Sequence, residues 1–96
     1  MGFEIIVRFT GPLRTLAGRE GLTLFVDEGV TLGDALRALR DEVRPAFTEQ
    51  VLEPLEAGER SVPLLLLNRA ICSGAELGRP VSEGDIVAFV MPMEGG

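Results

Sequence analysis

Histidine and lysine are both absent from this 96-residue chain, and cysteine occurs once, at Cys72. Without histidine the chain has no usual general base at neutral pH, no Ser-His or Cys-His nucleophile pair and no histidine metal site. A single cysteine excludes an internal disulfide and a cysteine-built metal centre, so no metal is expected. Its apolar context, Ala70-Ile71-Cys72, predicts a half-buried structural thiol rather than a nucleophile. Catalysis by this chain alone is therefore not expected. All nine cations are arginine. Codon preference accounts for that, and so does a requirement that the chain carry no reactive side-chain amine. On either reading the chain is not a lysine-linked acceptor of a modifier.

Long apolar runs are missing too. None approaches the roughly 18 residues of a membrane span, and no basic segment followed by an apolar stretch opens the chain. A cytoplasmic, unprocessed protein is expected. The formal net charge of −6 argues against nucleic acid and an anionic membrane, both of which need a basic face, and favours a partner with a basic surface.

What remains is the composition of one small globular domain, 46% hydrophobic and 25% charged. Residues 3–9 alternate: Phe3, Ile5, Val7 and Phe9 point inward, Glu4 and Arg8 outward, and Ile6 breaks the polar side. Gly11-Pro12 opens a connection to Gly21 that has room for a short turn of its own. Leu22, Leu24 and Val26 then mark a second strand, antiparallel to the first. Thr31 is the expected helix N-cap, with Asp34 as a near capping box and Val30 and Ala35 as a hydrophobic staple. Leu32, Ala35, Leu36, Leu39 and Val43 form the buried stripe, and Pro45 is expected to stop the helix.

Residues 45–61 are acidic and interrupted by Pro54 and Gly58. A solvated excursion is expected, with a short, loose helix through Phe47, Val51, Leu52 and Leu55 or a contact surface for a basic partner as alternatives. Val62 to Leu67 reads as a buried strand starting after Pro63, and Asn68-Arg69 as a turn in which Asn68 alone takes the left-handed position. Ala70-Ile71 is a brief edge strand, and Gly74 to Gly78 a connecting turn with Leu77 plugging the core.

The final stretch organises the rest. Glu83-Gly84-Asp85 is a turn with Gly84 left-handed, and Ile86 to Met91 is a strand in which neither face is polar. Ile86, Ala88 and Val90 point one way, and Val87, Phe89 and Met91 the other. Such a strand is central in its sheet, or has a second face that waits for a partner. Pro92 ends the pairing, and an extended tail from there to Gly96 reaches about 17 Å. Two terminal glycines let the backbone enter a narrow channel and leave the terminal carbonyl open to attack.

The stretch from Glu83 to Gly96 resembles the C-terminus of the ubiquitin-like sulfur carriers, the family of the molybdopterin synthase small subunit. Val30-Thr31-Leu32-Gly33-Asp34-Ala35 resembles the helix opening of the same carriers. Arg69 departs from them, since they usually carry Asn-Gly at that turn. The resemblance implies an α+β, β-grasp fold over residues 1–91, with about five strands in a mixed sheet on one main helix, and a flexible tail over 92–96. It implies a carrier, not an enzyme. An ATP-using activating partner adenylates Gly96 and sulfur replaces an oxygen to give a thiocarboxylate. The carrier itself binds no cofactor. On the molybdopterin reading, the tail, with Gly95 beside Gly96, enters the large subunit and the sulfur helps build the dithiolene. Val87, Phe89 and Met91 then either contact that partner or sit in the core, and Pro92, Met93 and Glu94 belong to the inserted segment. Other sulfur destinations (thiamine, cysteine, tRNA), a protein modifier joined to lysine, and an interaction module with an inert tail are the competing readings.

Overall fold

The alternation of residues 3–9 becomes β1 (Gly2–Phe9), with Ile5, Val7 and Phe9 buried and Phe3 packed against the core edge. The structure is a computed structural model that describes residues 1–58, 64–72 and 74–91. β2 (Gly21–Asp27) pairs antiparallel with β1, with Ile5 opposite Leu24 and Val7 opposite Leu22. The connection between them carries helix α1 (Pro12–Ala17). Pro12 sits in the first turn, where its missing N–H costs nothing, and left-handed Gly18 closes the end through a 2.9 Å bond to the Arg14 carbonyl. Leu13 and Ala17 of α1 are buried.

Helix α2 (Leu32–Leu39) has the expected cap. The Asp34 N–H donates to Thr31 Oγ1 and the Thr31 N–H to Asp34 Oδ2, both at 3.1 Å. Leu32, Ala35, Leu36 and Leu39 are its buried stripe. The helix tightens into a 3-10 turn at Arg40–Glu42 and is over by Val43, which is extended. Pro45 is therefore not its stop. Arg44 is extended as a residue before proline should be, and Pro45 opens the next helix at its first position.

The expected solvated excursion is instead a core element. Helix α3 (Pro45–Phe47), a π-helical stretch (Thr48–Leu52) and helix α4 (Glu53–Glu56) follow without a break. Phe47, Val51, Leu52 and Leu55 are all buried. The π stretch has a cause in the sequence: Pro54 has no N–H to donate back, and the Glu53 N–H skips to the Thr48 carbonyl. The wide turn absorbs a proline that would otherwise break the helix. Glu56 of α4 pairs with Arg40 and, at 4.0 Å, with Arg37, so part of the acidic charge ties this run to α2.

β3 (Leu64–Leu67) and β4 (Ala70–Cys72) form a hairpin, and the expected start of this strand at Val62 and Pro63 lies outside the described residues. A 3-10 turn (Gly74–Gly78) follows, with Leu77 half-buried against the core. β5 (Ile86–Val90) enters the middle of the sheet, giving the order β2-β1-β5-β3-β4. It runs parallel to β1 and antiparallel to β3. A mixed five-stranded sheet with its helices on one face is the β-grasp arrangement. No helix among the described residues is long and apolar enough to cross a membrane.

At the centre of the core three rings meet. Phe9 and Phe89 stack at 5.7 Å, and Phe47 meets them edge-on at 5.0 and 5.2 Å. Such pairs add about 0.5–1.5 kcal/mol each beyond area burial. Phe47→Ala is expected to lower the unfolding free energy by about 3–5 kcal/mol in chemical denaturation. A change of only a few tenths would mean that 45–56 is not part of the core.

The cap also has a pH signature. The Thr31 N–H first, and then Arg37, hold the Asp34 carboxyl below the usual carboxylate range. Its contribution to stability is present above that range and is lost as pH falls through the depressed folded value. Asp34→Asn is expected to flatten the loss of stability below about pH 4, read from melting curves across pH.

Candidate functional site

Everything that positions the end of the described chain acts on β5. Gly84 is left-handed, with φ of 81°, and its N–H bonds the Glu4 carbonyl at 3.0 Å. Asp85 closes the turn: Oδ2 accepts from the Ser82 N–H at 2.8 Å, and the Asp85 carbonyl accepts from Ile6 at 2.9 Å. At the other end, the Phe89 carbonyl accepts both the N–H and the hydroxyl of Thr10, at 3.2 and 3.1 Å. The strand is thus pinned against β1 at entry and exit.

β5 faces settle differently from one of the alternatives left by the sequence. Val87 is 1% and Phe89 0% exposed, so both belong to the core of this domain. Met91, just past the strand, is 44% exposed. Ile86, Ala88 and Val90 occupy the opposite face, which among the described residues carries no helix and is only partly covered. Register shows why. Ile6 pairs with Ile86 and Arg8 with Ala88, so the outward side of β1 and this side of β5 are one surface. Leu66 lies across from Ala88, and Ile71, 67% exposed, lies across from Leu66. One row across the sheet therefore reads Arg8, Ala88, Leu66, Ile71.

The β3–β4 turn borders that surface. Asn68 and Arg69 form a two-residue loop, and both have positive φ, 50° and 75°. The expectation that Asn68 alone would be left-handed is corrected: a two-residue hairpin loop of the twist-matching type needs positive φ at both positions. Asparagine tolerates this. For arginine it costs about 1 kcal/mol, a cost glycine does not carry. Asn68 secures the turn, since its N–H donates to the Ile86 carbonyl, its Oδ1 accepts from the Ile86 N–H, both at 2.8 Å, and its Nδ2 donates to Asp85 Oδ1 at 2.9 Å. Arg8, Leu66, Asn68, Arg69, Ile86 and Ala88 line a shallow groove of about 420 Å³.

Cys72 is buried, and burial first, then Glu76, push its thiol above the ordinary range. At neutral pH it is a thiol, not a nucleophilic thiolate. Among the described residues no group of three or more Cys, Asp or Glu side chains could hold a metal ion. Pro92, Met93, Glu94, Gly95 and Gly96 lie outside the described residues.

Sequence reasoning missed the outward set of Ile86, Ala88 and Leu66. Glu4 and Arg8 mark the outer side of β1, and the parity of the parallel register extends that side to β5. The two faces differ sharply in tolerance. Val87→Gln should cost more than about 2 kcal/mol through a buried unpaired amide, and Ile86→Gln less than about 0.5 kcal/mol, in parallel denaturation curves.

Residues 7–96 match the model of the ThiS family. An uncharacterized protein from Archaeoglobus fulgidus is 33% identical over 85 residues, covering 86% of this chain and 87% of that protein. SAMP1 from Haloferax volcanii superposes with a TM-score of 0.73 at 28% identity, over 97% of this chain and 99% of that one. The complex of subunits 1 and 2 of the molybdopterin-converting factor from Helicobacter pylori contains a chain with a TM-score of 0.61 at 24% identity, over 98% of this chain and 100% of that one. At that identity the likeness is one of fold.

Proposed function

This chain belongs to the ThiS family of ubiquitin-like sulfur carriers, and from that premise we propose that Gly96 carries sulfur as a thiocarboxylate delivered by a partner-bound tail. The match over residues 7–96, which runs through Gly95-Gly96, carries this reading. Small carriers of this kind are not catalytic themselves and act with partner proteins.

The chemistry assigns the work to both sides. A carboxylate is ionised at neutral pH and resists nucleophiles, so it needs a leaving group first. Its oxygen bonds the α-phosphorus of ATP and expels pyrophosphate, giving the acyl adenylate. Hydrosulfide, or its equivalent on the activating partner, then adds to the acyl carbon and AMP leaves with the original oxygen. With no histidine and a protonated Cys72, this chain supplies no imidazole base and no thiolate; its reacting group is the Gly96 carboxylate alone. It supplies position: a strand fixed by Thr10 and Asp85, an outer apolar face for docking, and a terminal glycine pair with no side chain to obstruct attack.

The destination we propose is the dithiolene of molybdopterin, with this chain as the small subunit of a two-subunit synthase. The fold likeness to a molybdopterin-converting factor chain found in complex with its other subunit supports it. The higher identity to SAMP1, a small archaeal modifier protein, favours a second reading in which Gly96 is joined to a lysine of another protein.

Incubation with the organism's adenylating enzyme, ATP and sulfide should raise the intact mass by the difference between sulfur and oxygen. A chain lacking Gly96 should show no gain. If an enzyme competent on another carrier leaves this chain unchanged, the carrier reading is wrong, and adducts on lysines of other proteins would establish the modifier in its place.

A further inference from the structure

The groove beside the β3–β4 turn has a charge character opposite to that of the molecule. The chain as a whole carries −6, yet the groove lining holds two arginines and no carboxylate. Arg8 and Arg69 are exposed, and neither side chain has a hydrogen bond or ion pair among the described residues. The neighbouring Asp85 carboxylate accepts from Asn68 Nδ2 and the Ser82 N–H, and pairs with neither arginine. Between the arginines lie Ala88, Leu66 and Ile86, an apolar strip.

Arg69 also stands where its backbone is least suited to it. Its φ of 75° is a conformation that glycine adopts freely and an arginine does not. Nothing in the fold repays the arginine, whose side chain makes no internal bond among the described residues. A residue held in strain without an internal partner points to an external one.

We propose that Arg8 and Arg69 are a two-point guanidinium clamp for carboxylates that border an apolar ridge on the activating, adenylating partner. The proposal rests on the carrier reading, and the activating enzyme is the occupant because every version of that reading requires it whatever the sulfur's destination. Guanidinium forks bind carboxylates in bidentate fashion, and charges at the rim of an apolar contact set register and selectivity. A nucleic acid backbone does not fit, because it meets net negative charge and has no match for the strip between the two cations. The local charge also revises the expectation drawn from net charge: this face selects an acidic partner surface, not a basic one.

The test uses the full-length carrier with the organism's adenylating enzyme in ATP–pyrophosphate exchange. Arg69→Gly and Arg8→Gln should each raise the KM for carrier about tenfold with kcat unchanged. The wild-type KM should climb with ionic strength, and that of the double variant should not. Arg14→Gln, on helix α1, serves as a charge-matched control and should change neither constant. Arg69→Gly should also raise the melting temperature by roughly 4 °C, because it relieves the turn. Unchanged KM values would overturn the clamp and leave the carrier reading standing. A lower melting temperature for Arg69→Gly would show that the arginine serves the fold, and would overturn it as well. A wild-type dimer in sedimentation that Arg69→Gly abolishes would give the face to a second copy instead. Failure of the wild-type chain to be adenylated would remove both this proposal and the reading beneath it.

Discussion

The parallel pairing of β5 with β1 is the constraint on which the rest of this structure depends. β1–β2 and β3–β4 are two hairpins that share no hydrogen bonds with one another. Two-stranded hairpins are marginal in water, and only a strand between them makes a sheet broad enough to hold a core. β5 is that strand, bonded on both sides. Its inward residues place Phe89 against Phe9 and Phe47, so the same strand that joins the hairpins also joins the sheet to the helical layer.

A strand in that position has two faces with different obligations. The inner one is filled by α2 and the 45–56 run. The outer one carries Ala88, Leu66 and Ile86 in the middle of the sheet, with no helix of the described residues over them. Arginines at its border and a strongly negative molecule elsewhere counter indiscriminate association through such a patch. The outer apolar face and the core are thus two sides of a single five-residue segment.

Local chemistry was legible in the sequence. Alternation gave β1 and β2, the Thr31–Asp34 pair gave the start of α2, and Glu83-Gly84-Asp85 gave the entry to β5, because each depends on residues a few positions apart. What was not legible depended on partners far along the chain. Pro45 and Pro54 read as breaks, but one opens a helix and the other is absorbed by a π turn in a run that the burial of Phe47, Val51 and Leu52 holds against the core. The faces of β5 could not be told apart by pattern, since both are apolar, and only the register with β1 decides between them. Arg69 looked like a missing glycine, and its conformation and place at the groove became visible only with the turn in three dimensions.

The long reach of that central pairing bears on how the chain gets to its native state. Thr10 and Phe89, bonded where β1 and β5 meet, are 79 residues apart in sequence. Closing so large a loop carries its entropic cost before β5 returns any burial, and contacts of high sequence separation slow folding. The hairpins and α2 form from local contacts in the meantime, with the inner faces of both hairpins uncovered. Acquisition of the last strand is therefore expected to come late, and the outer apolar face is completed only when the core is.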